Sequence, residues 1–371
     1  MGKQSDSFKS FDDCLNNIFR KKKFVTAAVG EHASDVRGDV PSTADIDSSL
    51  AGPWEYFQCG WNVDDILRPT RTRVVLECTD EASVRIVYER IARNVTPAVT
   101  SLFAHDPCLA QAARSALCND AGKRVPRLLH YVIFSQHVLA MHTFLSVLSA
   151  VRHLAPCLVL LHGDALPEGP YWEALLQLVP NILYVRRERP RLIFDRIINQ
   201  MEHSTDVARL QVLLEYGGMY LDTDQLVLKP PEPLCHHVTV IGSEVANRSC
   251  GNAFILSAPA AEFLALWLDS YTSFNDSNWN YHSTVVPHLL ASSRPDLVHV
   301  VDSFFRPNGY DIEALYLGAP YDWQELYGIH LYARRFRSFL DTKPGGPRPE
   351  QKRGLWNIVH IFLFGSSQAC W

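Results

Sequence analysis

Between Val125 and Val185, apolar runs of strand length alternate with stretches of helical spacing. This alternation narrows the fold more than any other feature of the chain. Leu128–Phe134 is a short apolar run, and Val138, Met141, Leu145 and Leu148 then repeat at helical intervals across 137–153. Leu158–Leu161 is a second run, Pro and Gly break the chain at 167–170, and 171–179 reads as helix before a strand at Ile182–Val185. Strands separated by helices cannot be joined as hairpins. They predict an α/β fold, a mostly parallel sheet with helices on both faces. Further strands are expected at 238–245 and 252–257, and helices near 260–272 and 283–292.

The N-terminal third is less regular. Residues 1–50 are rich in Ser, Asp, Lys and Gly and read as a disordered segment. Residues 51–120 read as an extension or small subdomain, with a strand at Arg73–Cys78 and a helix at 81–93. The main domain is placed at 121–340. A tail at 341–371 follows the turn Pro344-Gly345-Gly346-Pro347.

The chain carries 47% hydrophobic residues, enough for a sizeable core, and a net charge of −5, which gives no basic surplus for nucleic acid. Nine cysteines are dispersed without a C-x-x-C pair, which excludes the common zinc and thioredoxin patterns. They fit either reduced core thiols or a few disulfides. Sequons stand at Asn94, Asn247 and Asn275. Residues 1–20 show no apolar core of a signal peptide, and no N-terminal anchor is visible. The stretch 128–151 lacks Asp, Glu, Lys and Arg, yet its three histidines and its division into strand and helix argue against a membrane span.

The chemistry concentrates in 203–224. Val207, Leu210, Leu213 and Leu214 form a helical stripe, with Ser204 or Thr205 as the expected N-cap. Gly217 or Gly218 supplies the positive-φ stop. A short strand follows, and Asp222-Thr223-Asp224 falls at or just past its C-terminal end, where parallel sheets bind ligands. Two carboxylates at i and i+2 can aim at one hard cation shared with substrate phosphates; the plainer reading is a turn with two solvated aspartates. Asp206 and Arg209, three apart, share a helix face as a surface ion pair or as ligands to a sugar and its diphosphate.

Together these residues, D-x-x-R, six further residues and Y-G-G-x-Y-x-D-x-D, resemble the DXD-containing sugar-transferase family. That family includes fungal α-1,6-mannosyltransferases and animal α-1,4-galactosyl- and α-1,4-N-acetylglucosaminyltransferases. The glucosylating domains of clostridial toxins are more distantly similar. Val125-Pro126-Arg127-Leu128-Leu129-His130 is similar to the family's opening strand, Gly251-Asn252-Ala253-Phe254 to its later strand, and Ile329-His330-Leu331-Tyr332 to its C-terminal segment. Where the family often has a base-stacking Trp, this chain has Ile133-Phe134-Ser135.

The resemblance implies a GT-A fold, Rossmann-like. It implies Mn²⁺ or Mg²⁺ held by Asp222, Asp224 and His330, with Asp206, Arg209 and Tyr220 as catalytic residues. His130, Phe134, Tyr216 and Asn252 are implied as substrate-binding residues. The implied partners are a nucleotide-sugar donor, UDP-sugar before GDP-mannose, and a glycan, glycolipid or glycoprotein acceptor. Transfer would retain the anomeric configuration, and the relatives' usual place is the Golgi lumen. Two other readings stand beside it: a haloacid-dehalogenase-type phosphoryl enzyme, which Leu226 and Gly217-Gly218 disfavour, and a non-catalytic binding module on the same fold.

Overall fold

The computed structural model describes residues 72–336, apart from short stretches at 80–82, 93–94, 96–97, 136, 303, 305–311, 318–322 and 324. The segment 1–50, the tail 341–371 with its Pro-Gly turn, and the Asn94 sequon lie outside the described residues.

Among the described residues, the site rests on the following strands and helices. The strands are β1 (Thr72–Thr79), β2 (Ser83–Arg90), β3 (Thr100–Phe103), β4 (Leu128–Ile133), β5 (Leu158–Gly163), β6 (Ile182–Arg186), β7 (Leu192–Ile193), β8 (Arg196–Ile197), β9 (Gly218–Leu221), β10 (Gln225–Val227), β11 (Thr239–Val245), β12 (Ser249–Ser257), β13 (His299–Val301) and β14 (Gly328–His330). The helices are α1 (Pro107–Arg114), α2 (Met141–Leu154), α3 (Pro170–Leu178), α4 (Met201–Tyr216), α5 (Glu262–Asp269) and α6 (Val286–Ser293). A 3₁₀ turn, Ser270–Ser273, extends α5, and a π turn, Tyr281–Val285, leads into α6.

The main sheet has eight strands in the order β13-β11-β12-β9-β4-β5-β6-β3. Its pairings are parallel except where β12 meets β11 and β9. β4 and β5 are buried along their whole length, as expected of strands covered on both faces. The covering layers follow from alternation along β4. Val132 packs in the cluster that holds Leu210 and Leu213 of α4, while the Tyr131 hydroxyl bonds Ser146 of α2. The observed fold is therefore α/β, a mostly parallel sheet covered by helices. The stretch 128–151 divides into β4 and α2, and no helix among the described residues is long and apolar enough to cross a membrane.

Two local expectations are overturned. Within the helix expected at 81–93, Ser83–Arg90 is a strand that pairs antiparallel with β1. Val84, Ile86 and Tyr88 alternate with Arg85, Val87 and Glu89, a period of two that β-branched side chains favour. Nor do Ser204 and Thr205 cap α4. The helix starts three residues earlier at Met201, and both hydroxyls bond back to carbonyls one turn behind them, on Gln200 and Met201. The chain entering α4 is instead braced by Asp276, whose carboxylate accepts from the Asn199 and Gln200 amides. At the other end Gly217 and Gly218 have φ of 65° and 103°, the left-handed region that glycine enters without steric cost. A Cβ on Gly218 would lie 2.6 Å from the Leu128 carbonyl oxygen.

β3 joins the edge of the main sheet, and Val74, Leu109, Leu158 and Leu183 share one core cluster. Disulfides join Cys78 to Cys108 and Cys118 to Cys157, while Cys235 and Cys250 are buried thiols.

Candidate active site

The helix α4, the Gly-Gly stop and β9 deliver Asp222 and Asp224 to one point. Leu221 ends β9, and the Asp222 amide donates to the Ala253 carbonyl at 2.8 Å, which holds the turn against β12. β12 itself is irregular there. Its pairing with β11 shifts from Ile241–Ile255 to Gly242–Gly251, leaving Asn252, Ala253 and Phe254 unmatched. Such a bulge re-aims side chains, and here it turns Asn252 onto α4: its amide donates to Asp206 Oδ1 at 2.8 Å.

Arg209 is the hub of this side. Nη2 lies 3.0 Å from Asp206 Oδ1, Nη1 lies 3.1 Å from Asp222 Oδ1 and donates at 2.7 Å to the Asn252 carbonyl, and the guanidinium sits 4.6 Å from the Tyr220 ring centre. The Tyr220 hydroxyl donates to Asp222 Oδ1 at 2.7 Å. Arg209 and Asp206 are both buried. Burial opposes the Arg209 charge, but Asp222, Tyr220 and Asp206 outweigh it and raise its pKa. Burial pushes the Asp206 carboxyl up, against the pull of Arg209. A planar fork with fixed donors suits this arrangement.

With Oδ1 of Asp222 engaged by Tyr220 and Arg209, Oδ2 faces His330, 3.9 Å from Nε2. His330 Nε2 lies 3.2 Å from Asp224 Oδ1, and Asp224 Oδ2 accepts from the Ala333 amide at 2.7 Å. β14, which carries His330, is fixed by pairing with β10, so that Gln225 stands opposite His330. Burial works against the Asp224 charge, yet His330 and the Ala333 amide hold its carboxyl well below the usual range. Burial likewise works against His330, and the carboxylates Asp224, Asp222 and Glu244 raise it. One ligand atom from each of Asp222, Asp224 and His330 falls within 4.8 Å of the others. Two oxygens and an imidazole nitrogen converging in this way fit a divalent cation of the Mn²⁺ or Mg²⁺ kind.

Residues 151–241 match the family model for the glycosyltransferase sugar-binding region containing the DXD motif. That span includes Asp206, Arg209, Tyr216, Tyr220, Asp222 and Asp224. The chain is also 31% identical over 266 residues to glucan organizing enzyme 1 of Cryptococcus neoformans var. grubii, covering 65% of this chain and 72% of that protein. The chain belongs to the DXD-motif glycosyltransferase family. Among solved structures, the PaToxG glycosyltransferase matches with a TM-score of 0.36 at 15% identity, over 51% of this chain and 77% of that one. GlyE of Streptococcus pneumoniae TIGR4 matches at 0.39 and 12%, over 63% and 60%.

In this glycosyltransferase seven of the ten residues singled out in the sequence stand together: Asp206, Arg209, Tyr220, Asp222 and Asn252 in one network, Asp224 and His330 beside it. The other three take part in none of those hydrogen bonds or ion pairs. His130 is wholly buried in β4; its Nε2 donates to the Gly217 carbonyl at 2.8 Å and its Nδ1 accepts from His162 at 3.0 Å. Tyr216 stacks beside this histidine pair. Phe134 packs in the core with Val132 and Ile198. Arg209, expected from sequence either to pair with Asp206 or to face the diphosphate or the sugar, is buried, pairs with Asp206 and also holds Asp222.

Sequence reasoning misses Glu244 and Tyr332. The Tyr332 hydroxyl donates to Glu244 Oε1 at 3.3 Å, and the Tyr332 ring lies 4.1 Å from that of His330. Nothing in the spacing around Glu244 marks it, because its placement depends on a second bulge in β11.

Proposed function

We propose that this glycosyltransferase moves a hexose or N-acetylhexosamine from a UDP-sugar to a glycan or glycolipid hydroxyl, with retention and with Mn²⁺ or Mg²⁺ at Asp222, Asp224 and His330. The observation that carries the reading is the convergence of those three side chains beside the Arg209 network. When bound, such an ion supplies neutralisation of charge on the departing diphosphate. The protein's own residues do the positioning. Arg209 and Tyr220 fix Asp222, the Ala333 amide fixes Asp224, and Asp206 with Asn252 offers polar groups to the donor sugar. Retention is read here as a front-face reaction, in which no carboxylate nucleophile takes part. Catalysis then rests on orientation and electrostatics.

The name of the relative, glucan organizing enzyme 1, favours UDP-glucose as donor and a glucan as acceptor or product. The two disulfides, with Asn247 and Asn275 both on exposed turns, favour an oxidising compartment such as the Golgi lumen.

The deciding experiment is donor hydrolysis and transfer across UDP-Glc, UDP-Gal, UDP-GlcNAc, UDP-GalNAc and GDP-Man, with Mn²⁺ or chelator, beside Asp222→Asn/Asp224→Asn. Release of one nucleotide that needs the metal and vanishes in the double variant supports the reading. Inert folded protein with every donor sinks it. NMR of the product anomer decides retention.

A further inference from the structure

Glu244 is a carboxylate for which the donor side has no use. It sits in β11 between Ser243, opposite Cys250, and Val245, opposite Ser249, so it is the extra residue of a bulge. Bulges are over-represented beside active sites, where they point a side chain out of register. Both of its oxygens are oriented: Oε2 accepts from Ser249 Oγ at 3.0 Å and Oε1 from the Tyr332 hydroxyl at 3.3 Å. Tyr332 is itself held with φ of 48°, a conformation uncommon outside glycine and asparagine. A strained residue next to a site points to a constraint imposed for function.

The placement separates two sides. Oδ1 of Asp222 faces Arg209, Tyr220 and the Asp206–Asn252 pair, whereas Oδ2 faces His330. Tyr332 and Glu244 lie beyond His330 on this second side. The same C-terminal segment continues to Arg334, which lies 4.8 Å from the centre of the half-exposed Trp279 ring. Oriented carboxylates that still carry free lone pairs recognise sugar hydroxyls, which are donors, and aromatic rings suit their apolar faces.

We propose that Glu244, aimed by its bulge and held by Tyr332 and Ser249, binds the acceptor saccharide through a hydroxyl neighbouring the one that reacts. This rests on the transferase reading above. The bond that forms joins the acceptor oxygen to the anomeric carbon, the bond to the diphosphate oxygen breaks, and the reacting hydroxyl's proton leaves with the diphosphate. Glu244 takes no proton; it positions.

The test compares wild type, Glu244→Gln, Glu244→Asp and Tyr332→Phe, using methyl α-glucoside, maltotriose and laminaritriose as acceptor probes. Two rates are read in each: donor hydrolysis to water, and transfer to the saccharide. Glu244→Gln is expected to lower the ratio of transfer to donor hydrolysis at least tenfold. Tyr332→Phe should give a smaller loss of the same kind, and Glu244→Asp a partial recovery. A structural collapse would move both rates together, and Tyr332→Phe decides between the two outcomes if Glu244→Gln does not fold. Equal transfer by wild type and variants, a loss confined to donor KM, or hydrolysis that no saccharide diverts would overturn the subsite. Wild type that releases nucleotide from no donor defeats the transferase reading itself, before any variant is made, and the subsite with it.

Discussion

Arg209 Nη1 stands 3.1 Å from Asp222 Oδ1, so a buried guanidinium on α4 sets the orientation of a carboxylate that faces the opposite way, towards His330. The same fork holds Asp206 and the Asn252 carbonyl. One residue therefore ties the helix, the DXD turn and the bulged strand together.

Replacing Arg209 tests that coupling. Arg209→Met leaves Asp206 and Asp222 without their counter-charge, and breaking a buried pair from one side costs about 3–5 kcal/mol. Arg209→Lys keeps the charge but cannot span three acceptors with one rigid fork, so it should lose donor hydrolysis at least tenfold while costing less stability than Met. Urea unfolding monitored by tryptophan fluorescence gives the first quantity and nucleotide release the second. A fully active Arg209→Lys protein would show that the fork is dispensable.

The cation site predicts a stability linkage independent of turnover. An ion that binds only the folded state stabilises it by about 2.7 kcal/mol at a hundred times its dissociation constant. Mn²⁺ should therefore raise the Tm of the wild type, and Asp224→Asn and His330→Ala should abolish the rise. A shift that survives in both variants would place the ion elsewhere.

How much of this is legible in the sequence depends on whether the cause is local. The alternation from Val125 and the Gly217-Gly218 stop are local, and the strands, the helix and the position of Asp222 follow from them. The Asp206–Arg209 pairing is local too, being one turn of helix. The start of α4 is not, because Asp276 braces it from more than 70 residues away. His130 escapes a sequence reading for a related reason. Its partner His162 comes from the neighbouring strand, and no pattern around either residue says that the pair faces inward. Glu244 depends on a bulge, and a bulge is a register between two strands rather than a property of either one. The 83–90 strand is different: its period of two is local and stands in the sequence, so the helix expected there had no long-range cause to excuse it.

The disulfides make a third prediction. They close spans of 30 and 39 residues, and loops of that size contribute about 3–4 kcal/mol each in the chain-entropy model. One joins β1 to α1, and the other joins the chain after α1 to the residue before β5. Dithiothreitol should lower the Tm clearly, and Cys78→Ser/Cys108→Ser should reproduce part of the fall. An unchanged melt under reduction would mean that the bridges add nothing to the folded state.

The buried histidine pair predicts acid sensitivity. Burial lowers His130 from 6.5 to about 4, and burial together with the neighbouring ring lowers His162. Both rings are therefore neutral in the folded protein where the unfolded chain's histidines already bind protons. The unfolded state holds more protons throughout that window, so stability rises with pH there and is lost as pH falls from about 6.5 towards 4. For His130 alone the whole loss is about 3 kcal/mol. His130→Gln isolates this contribution, because its amide nitrogen can still donate to the Gly217 carbonyl and its amide oxygen can still accept from His162. Denaturation midpoints measured from pH 7 to pH 4.5 should fall less steeply in His130→Gln than in wild type. The same slope in both proteins would mean that the pair is not neutral in the core, and that acid acts through the carboxylates.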